Sequence, residues 1–125
     1  MKQPRRQALL VLALLASTLL LLAADVTGVW RTALPSRQGD LRPFTFELEQ
    51  APDGTLSGTV AGFRSKGAVQ DGKVDGGKIR FSAENRYFSR EVLMTFTGAV
   101  EGGKMDLVVT FEDNDQKLEI TAKRE

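Results

Sequence analysis

The stretch Val69 to Phe81, Val-Gln-Asp-Gly-Lys-Val-Asp-Gly-Gly-Lys-Ile-Arg-Phe, restricts the fold of this chain more than any other. Side chains alternate into Asp75-Gly76-Gly77 and alternate out again. A β-hairpin reverses a chain within two residues while keeping that period, and glycines supply the positive φ that its tip demands. The same device recurs at Val100-Glu101-Gly102-Gly103-Lys104-Met105, and in reduced form at Ala51-Pro52-Asp53-Gly54-Thr55-Leu56. One hairpin after another implies an antiparallel meander.

The rest of the chain can be divided by the same period of two. Val26 to Leu34 places Gly28, Trp30, Thr32 and Leu34 on one face, and Pro35 ends it. After the loop 35–43, Phe44, Phe46 and Leu48 face one way while Thr45, Glu47 and Glu49 face the other. Further strands are read at Thr55 to Gly62, Lys66 to Val74, Lys78 to Ala83, Arg90 to Val100, Lys104 to Glu112 and Lys117 to Arg124. Val69 and Val74 cannot share a face in a regular strand, so a bulge is expected near Asp71-Gly72. No segment after residue 24 has a helical period. A flat sheet of eight such strands would leave its apolar face and both edges open to water. The expected fold is therefore all-β, an eight-stranded antiparallel up-and-down meander closed into a barrel, with a two-sheet β-sandwich as the alternative. Inward Gly28, Gly58 and Gly98, with Ala83 and Ala122, either leave internal room or bend the strands.

Residues 1–24 have a different character. Met1 to Gln7 is basic, Ala8 to Leu22 is apolar but for Ser17 and Thr18, and Ala23-Ala24 offers small residues before Asp25. This is the form of a signal peptide cleaved after Ala23 or Ala24, or of an N-terminal anchor left uncleaved. A single domain, residues 25–125, follows, and the expected destination is secreted or periplasmic. Lys2, Arg5 and Arg6 belong to the leader, so 14 basic residues of the 17 remain against 16 acidic ones, a net charge of −2 for the domain. That balance supplies no general attraction to nucleic acid or to anionic lipid, and a membrane is expected as a partner only through an uncleaved leader. Without cysteine the domain holds by packing alone.

Gly28-Val29-Trp30 on the first strand resembles the Gly-X-Trp element that opens lipocalins and related calycin barrels. In that superfamily the tryptophan closes the barrel floor and a basic residue of the last strand packs across its ring. Arg124, inward on the last strand, is similar in placement. The resemblance implies a floor built from Gly28, Trp30 and Arg124, and it brings no ligand with it. The hairpin Asp71 to Lys78 also resembles small all-β domains of unknown function in secreted bacterial proteins.

The chemistry available is narrow. The absence of histidine and cysteine removes the usual general base, the thiol nucleophile and nearly all zinc or copper sites. Glu47 and Glu49 share an outward, solvated face. Asp113-Asn114-Asp115 lacks the glycine and distal glutamate of a calcium loop and suits a turn. No catalytic residue, metal or cofactor is expected. Binding is the remaining class, and loop parity gives it a location. In a meander the glycine turns fall at one end, while the other four connections carry Arg37, Arg42, Phe63, Arg64, Lys66, Arg86, Tyr87, Phe88 and Lys117 at the other. The expectation is a closed floor and an open, locally positive rim, where a small apolar or amphipathic molecule enters through Arg37, Arg42, Phe63, Arg64, Lys66, Arg86, Tyr87 and Phe88. The alternative is a packed barrel with no internal ligand, acting on a protein or cell-envelope partner.

Overall fold

Short glycine turns favour pairing of each strand with the one before it, and the computed structural model, which describes residues 25–62 and 64–125, has that pairing at every connection but β4–β5. The strands are β1 (Gly28–Pro35), β2 (Leu41–Gln50), β3 (Thr55–Gly62), β4 (Ser65–Ala68), β5 (Gln70–Asp75), β6 (Lys78–Tyr87), β7 (Arg90–Glu101), β8 (Lys104–Phe111) and β9 (Lys117–Arg124). All pairings are antiparallel, and β1 pairs with both β2 and β9. The sheet thus returns to itself. Because β4 and β5 are two halves of one interrupted strand, the result is an eight-stranded closed barrel, and the sandwich is set aside. No helix occurs among the described residues. The leader and its cleavage position lie outside the described residues, as does Phe63.

The period of two sorts the side chains. Phe44, Phe46 and Leu48 of β2, Ile79, Phe81 and Ala83 of β6, Val92, Met94 and Phe96 of β7, and Met105, Leu107, Val109 and Phe111 of β8 are all buried in one contiguous cluster. In the middle, Phe46 meets Phe81 and Phe96 edge-on at 5.2 and 5.1 Å between centroids, while Phe81 and Phe96 stack at 4.9 Å. Each such side chain contributes about 1.5–3 kcal/mol by leaving water. The inward glycines do not create space in this interior. A Cβ on Gly58, whose φ is 131°, would collide with the Glu47 carbonyl, and one on Gly98 would collide with that of Asp106. These positions let neighbouring strands approach and bend, the second of the two roles open to them.

The barrel is stitched less regularly in two places. Asp71 sits at φ 51° and the β5–β6 register shifts between Gln70 and Lys73, so the bulge falls where the clash of parity placed it. Beyond it β4 pairs with β3 and has no ladder to β6. Side chains fill that gap. The Ser65 hydroxyl accepts from Arg86 N–H at 2.8 Å and donates to Asn85 Oδ1, and Asn85 Nδ2 donates to the Val60 carbonyl at 3.0 Å. Asn85 is inward and only 2% exposed. The second place is the seam, where the β1–β9 ladder has only the pairs Trp30 with Arg124 and Arg31 with Lys123. Past them the Thr32 hydroxyl donates to the Thr121 carbonyl at 2.9 Å.

Removing the Asn85 amide would strand the buried Val60 carbonyl and free the half-buried Ser65 hydroxyl, a penalty of about 1–3 kcal/mol. Asn85→Ala should lower unfolding free energy in urea by that amount. An unchanged midpoint would show that β4 is held without it.

Candidate functional site

The two ends of the barrel are built differently. At the floor, Gly28 has φ 142°, a conformation that side chains disfavour, and this turns the chain so that Trp30 is buried. The Trp30 indole N–H donates to the Val26 carbonyl at 2.9 Å. The Arg124 guanidinium lies 4.5 Å from the centre of the Trp30 ring. Its Nη1 donates to the Thr27 carbonyl at 2.7 Å and its Nη2 to that of Asp25 at 2.9 Å. Gly28, Trp30 and Arg124 thus form a seal across the first and last strands, with the guanidinium committed to ring and backbone. The floor is a structural clamp, and its chemistry is used up in closing the barrel.

The other end departs from the expected ring of long loops. Strand β6 continues beyond Ala83 to Tyr87, because Asn85 and Tyr87 keep the inward parity while Glu84 and Arg86 keep the outward one. The connection to β7 is then the two-residue turn Phe88-Ser89. The connection from β3 to β4 is likewise two residues, 63–64. At this end only 36–40 and 112–116 are longer loops. Tyr87 therefore does not line an entrance. It is fully buried, its hydroxyl donates to the Pro35 carbonyl at 2.8 Å, and its ring stacks on Phe88 and Phe111 at 4.3 and 5.1 Å. Burial pushes its phenol pKa up, opposed by the charge of nearby Arg90. This aromatic stack caps the core.

Outside the cap the cations converge. Arg37 reaches across the barrel end and donates through Nη2 to the Phe88 carbonyl at 2.9 Å. Arg42, at the start of β2, pairs with Asp40 at 3.0 Å. The Ser36 hydroxyl donates to the same carboxylate, and this bond, with the charge of Arg42, holds Asp40 below the ordinary carboxylate pKa. Arg64 is exposed and has no hydrogen bond or ion pair with another described residue. Together with Pro43, Phe88 and Ser89, the three arginines line a solvent-open cleft of about 510 Å³. Lys66 and Arg86 lie outside it, exposed on the outer faces of β4 and β6. On the far side of the cap, Arg90 holds Asp113 through Nε at 2.5 Å and Nη2 at 3.1 Å, which keeps that carboxyl below its ordinary range.

The backbone of the cleft is strained where the floor is relaxed. Floor turns place Gly54, Gly76 and Gly102 at positive φ, whereas rim turns place Arg64 (62°), Phe88 (52°) and Ser89 (65°) there. A left-handed conformation costs a residue with a Cβ roughly 1–2 kcal/mol. Such residues cluster at functional sites. Ser89 and Pro43 carried no sequence signal of their own, since their role follows only from where β6 ends and β2 begins. Among the described residues no group of acidic side chains is arranged to hold a metal. Comparison with protein-family models, curated proteins and solved structures returns no match.

Arg124→Ala should lower stability by about 0.5–2 kcal/mol and shift Trp30 emission, because both the cation over the ring and the tie to the first strand are lost. Urea unfolding followed by Trp30 fluorescence measures both, and an unaltered spectrum would contradict the clamp.

Proposed function

We propose that the domain is an exported, non-enzymatic binding barrel of lipocalin-like build that holds an anionic amphiphile at its rim cleft. One observation carries this reading. Arg37, Arg42 and Arg64 converge on a single cleft beside Phe88 and Pro43, and Arg64 is left without a protein partner. Guanidinium groups grip carboxylate or phosphate through paired hydrogen bonds, and an adjacent ring covers an apolar chain. Strained backbone at Arg64 and Phe88 supports the same place. The leader at residues 1–24 supports export, and the lack of histidine and cysteine supports a binding role. The phenylalanine cluster in the middle of the barrel moves the ligand from the centre to its end. It also favours the second reading, a packed barrel whose rim meets a protein or cell-envelope partner.

The test is calorimetric titration with decanoate and with decyl phosphate below their micellar concentrations. Binding should weaken about tenfold in Arg64→Gln, the loss of one charge-assisted hydrogen bond of roughly 1.5 kcal/mol. Arg64→Gly should weaken it equally while raising stability by about 1 kcal/mol, since glycine relieves the left-handed backbone. If neither probe binds the wild-type protein, the amphiphile reading fails and the packed, partner-binding barrel replaces it.

A further inference from the structure

The cleft has an apolar neighbour. Leu41, first residue of β2 and between Asp40 and Arg42 in sequence, is 68% exposed, and no other large hydrophobic residue is so exposed among those described. It lies opposite Pro35 on the β1–β2 ladder, next to Arg42 and just outside the cleft lined by Arg37, Arg42 and Arg64, each of them exposed. A stable protein interface buries a core of several apolar and aromatic side chains, and this corner exposes one large apolar residue. A single leucine set among arginines has the composition of a surface that sits in lipid headgroups, where cations meet phosphates and a short apolar tip reaches past them. The domain's net charge of −2 hides this, because charge is unevenly placed. Glu112, Asp113 and Asp115 are collected on the β8–β9 loop across the aromatic cap, with Asp113 tied to Arg90. Asp53, Asp75 and Glu101 belong to the floor turns.

We infer that the rim corner formed by the β1–β2 loop, Leu41 and Arg64 docks on a bilayer surface that carries anionic lipids. A lipid phosphate is held among Arg37, Arg42 and Arg64 while Leu41 enters the headgroup layer. The inference rests on the amphiphile reading of the cleft and adds that the amphiphile is held in a membrane. The acidic β8–β9 loop sets the tilt, since repulsion turns that side of the rim away from the lipid.

The experiment is flotation of the full chain with vesicles of phosphatidylcholine alone and of phosphatidylcholine with phosphatidylglycerol, at low and high salt. The apolar stretch 8–22 and Lys2, Arg5 and Arg6 of the leader are common to every variant, so differences between variants, rather than partition itself, report the rim. The expected result is preference for the anionic vesicles, weakened by salt, and about fivefold weaker in Arg64→Gln, the contribution of one arginine near such a surface. Leu41→Ser should weaken it several-fold, and Arg80→Gln, on the outer face of β6, should match wild type. Trp30 emission checks that each variant is folded. Equal partition of Leu41→Ser, Arg64→Gln and wild type to the anionic vesicles would overturn the inference. If decyl phosphate binds while the vesicles show no such differences, the docking inference fails and the cleft reading stands. Failure of both probe and vesicles removes both.

Discussion

Closure between the first and last strands is the constraint on which the other features depend. Nearly every other junction of the barrel joins strands consecutive in the chain, but β1 meets β9, from the opposite end of the chain, through two residue pairs. What makes so short a ladder sufficient is Arg124, which covers the Trp30 ring and grips two carbonyls of the incoming chain. A lysine could supply the charge but not the planar fork that reaches ring and backbone together. With the seam shut, the inward faces of all strands lose water at once, and the phenylalanine cluster forms as a closed interior.

Most of the architecture was legible in the sequence because its two determinants are local. Alternation assigns faces, and glycine pairs assign hairpins, so β2 emerged with its inward Phe44, Phe46 and Leu48 intact, and β7 and β8 within one residue of their bounds. The parity conflict between Val69 and Val74 located the bulge for the same reason. Legibility failed where a polar residue is buried. Asn85 interrupts the apolar pattern and disguises the end of β6, which made Tyr87 look like a loop residue. Its burial depends on Ser65 and Val60, partners about 20 and 25 positions away, which no short-range period can disclose.

The candidate site was legible as a set of residue types and illegible as a shape. Arg37, Arg42 and Arg64 could be assigned to one end by counting connections. Their convergence depends on the 36–40 loop folding across the barrel end to reach the Phe88 carbonyl, a contact between segments 51 positions apart. The same fold explains why Tyr87 is a cap: once β6 runs to its end, parity drives the phenol inward and the neighbouring turn must place Phe88 in left-handed backbone. The strain at the rim is thus coupled to the sealing of the core. A glycine at position 88 would relax the turn but would also withdraw the ring that borders the cleft.

The position of the chain ends has a topological consequence. Arg124 touches Asp25, and Glu125 donates its backbone N–H to Val29, so the described chain begins and ends at one point of a closed ring of strands. Its order is therefore cyclic as well as linear. A short linker from Glu125 to Asp25 would leave each strand beside the neighbours it already has, and the ring could be reopened at Gly102-Gly103, where the turn makes few side-chain contacts. Such a permuted chain would carry Trp30 and Arg124 on one continuous segment. Closure, which in the natural order must wait for the last strand, would then become a local event early in folding.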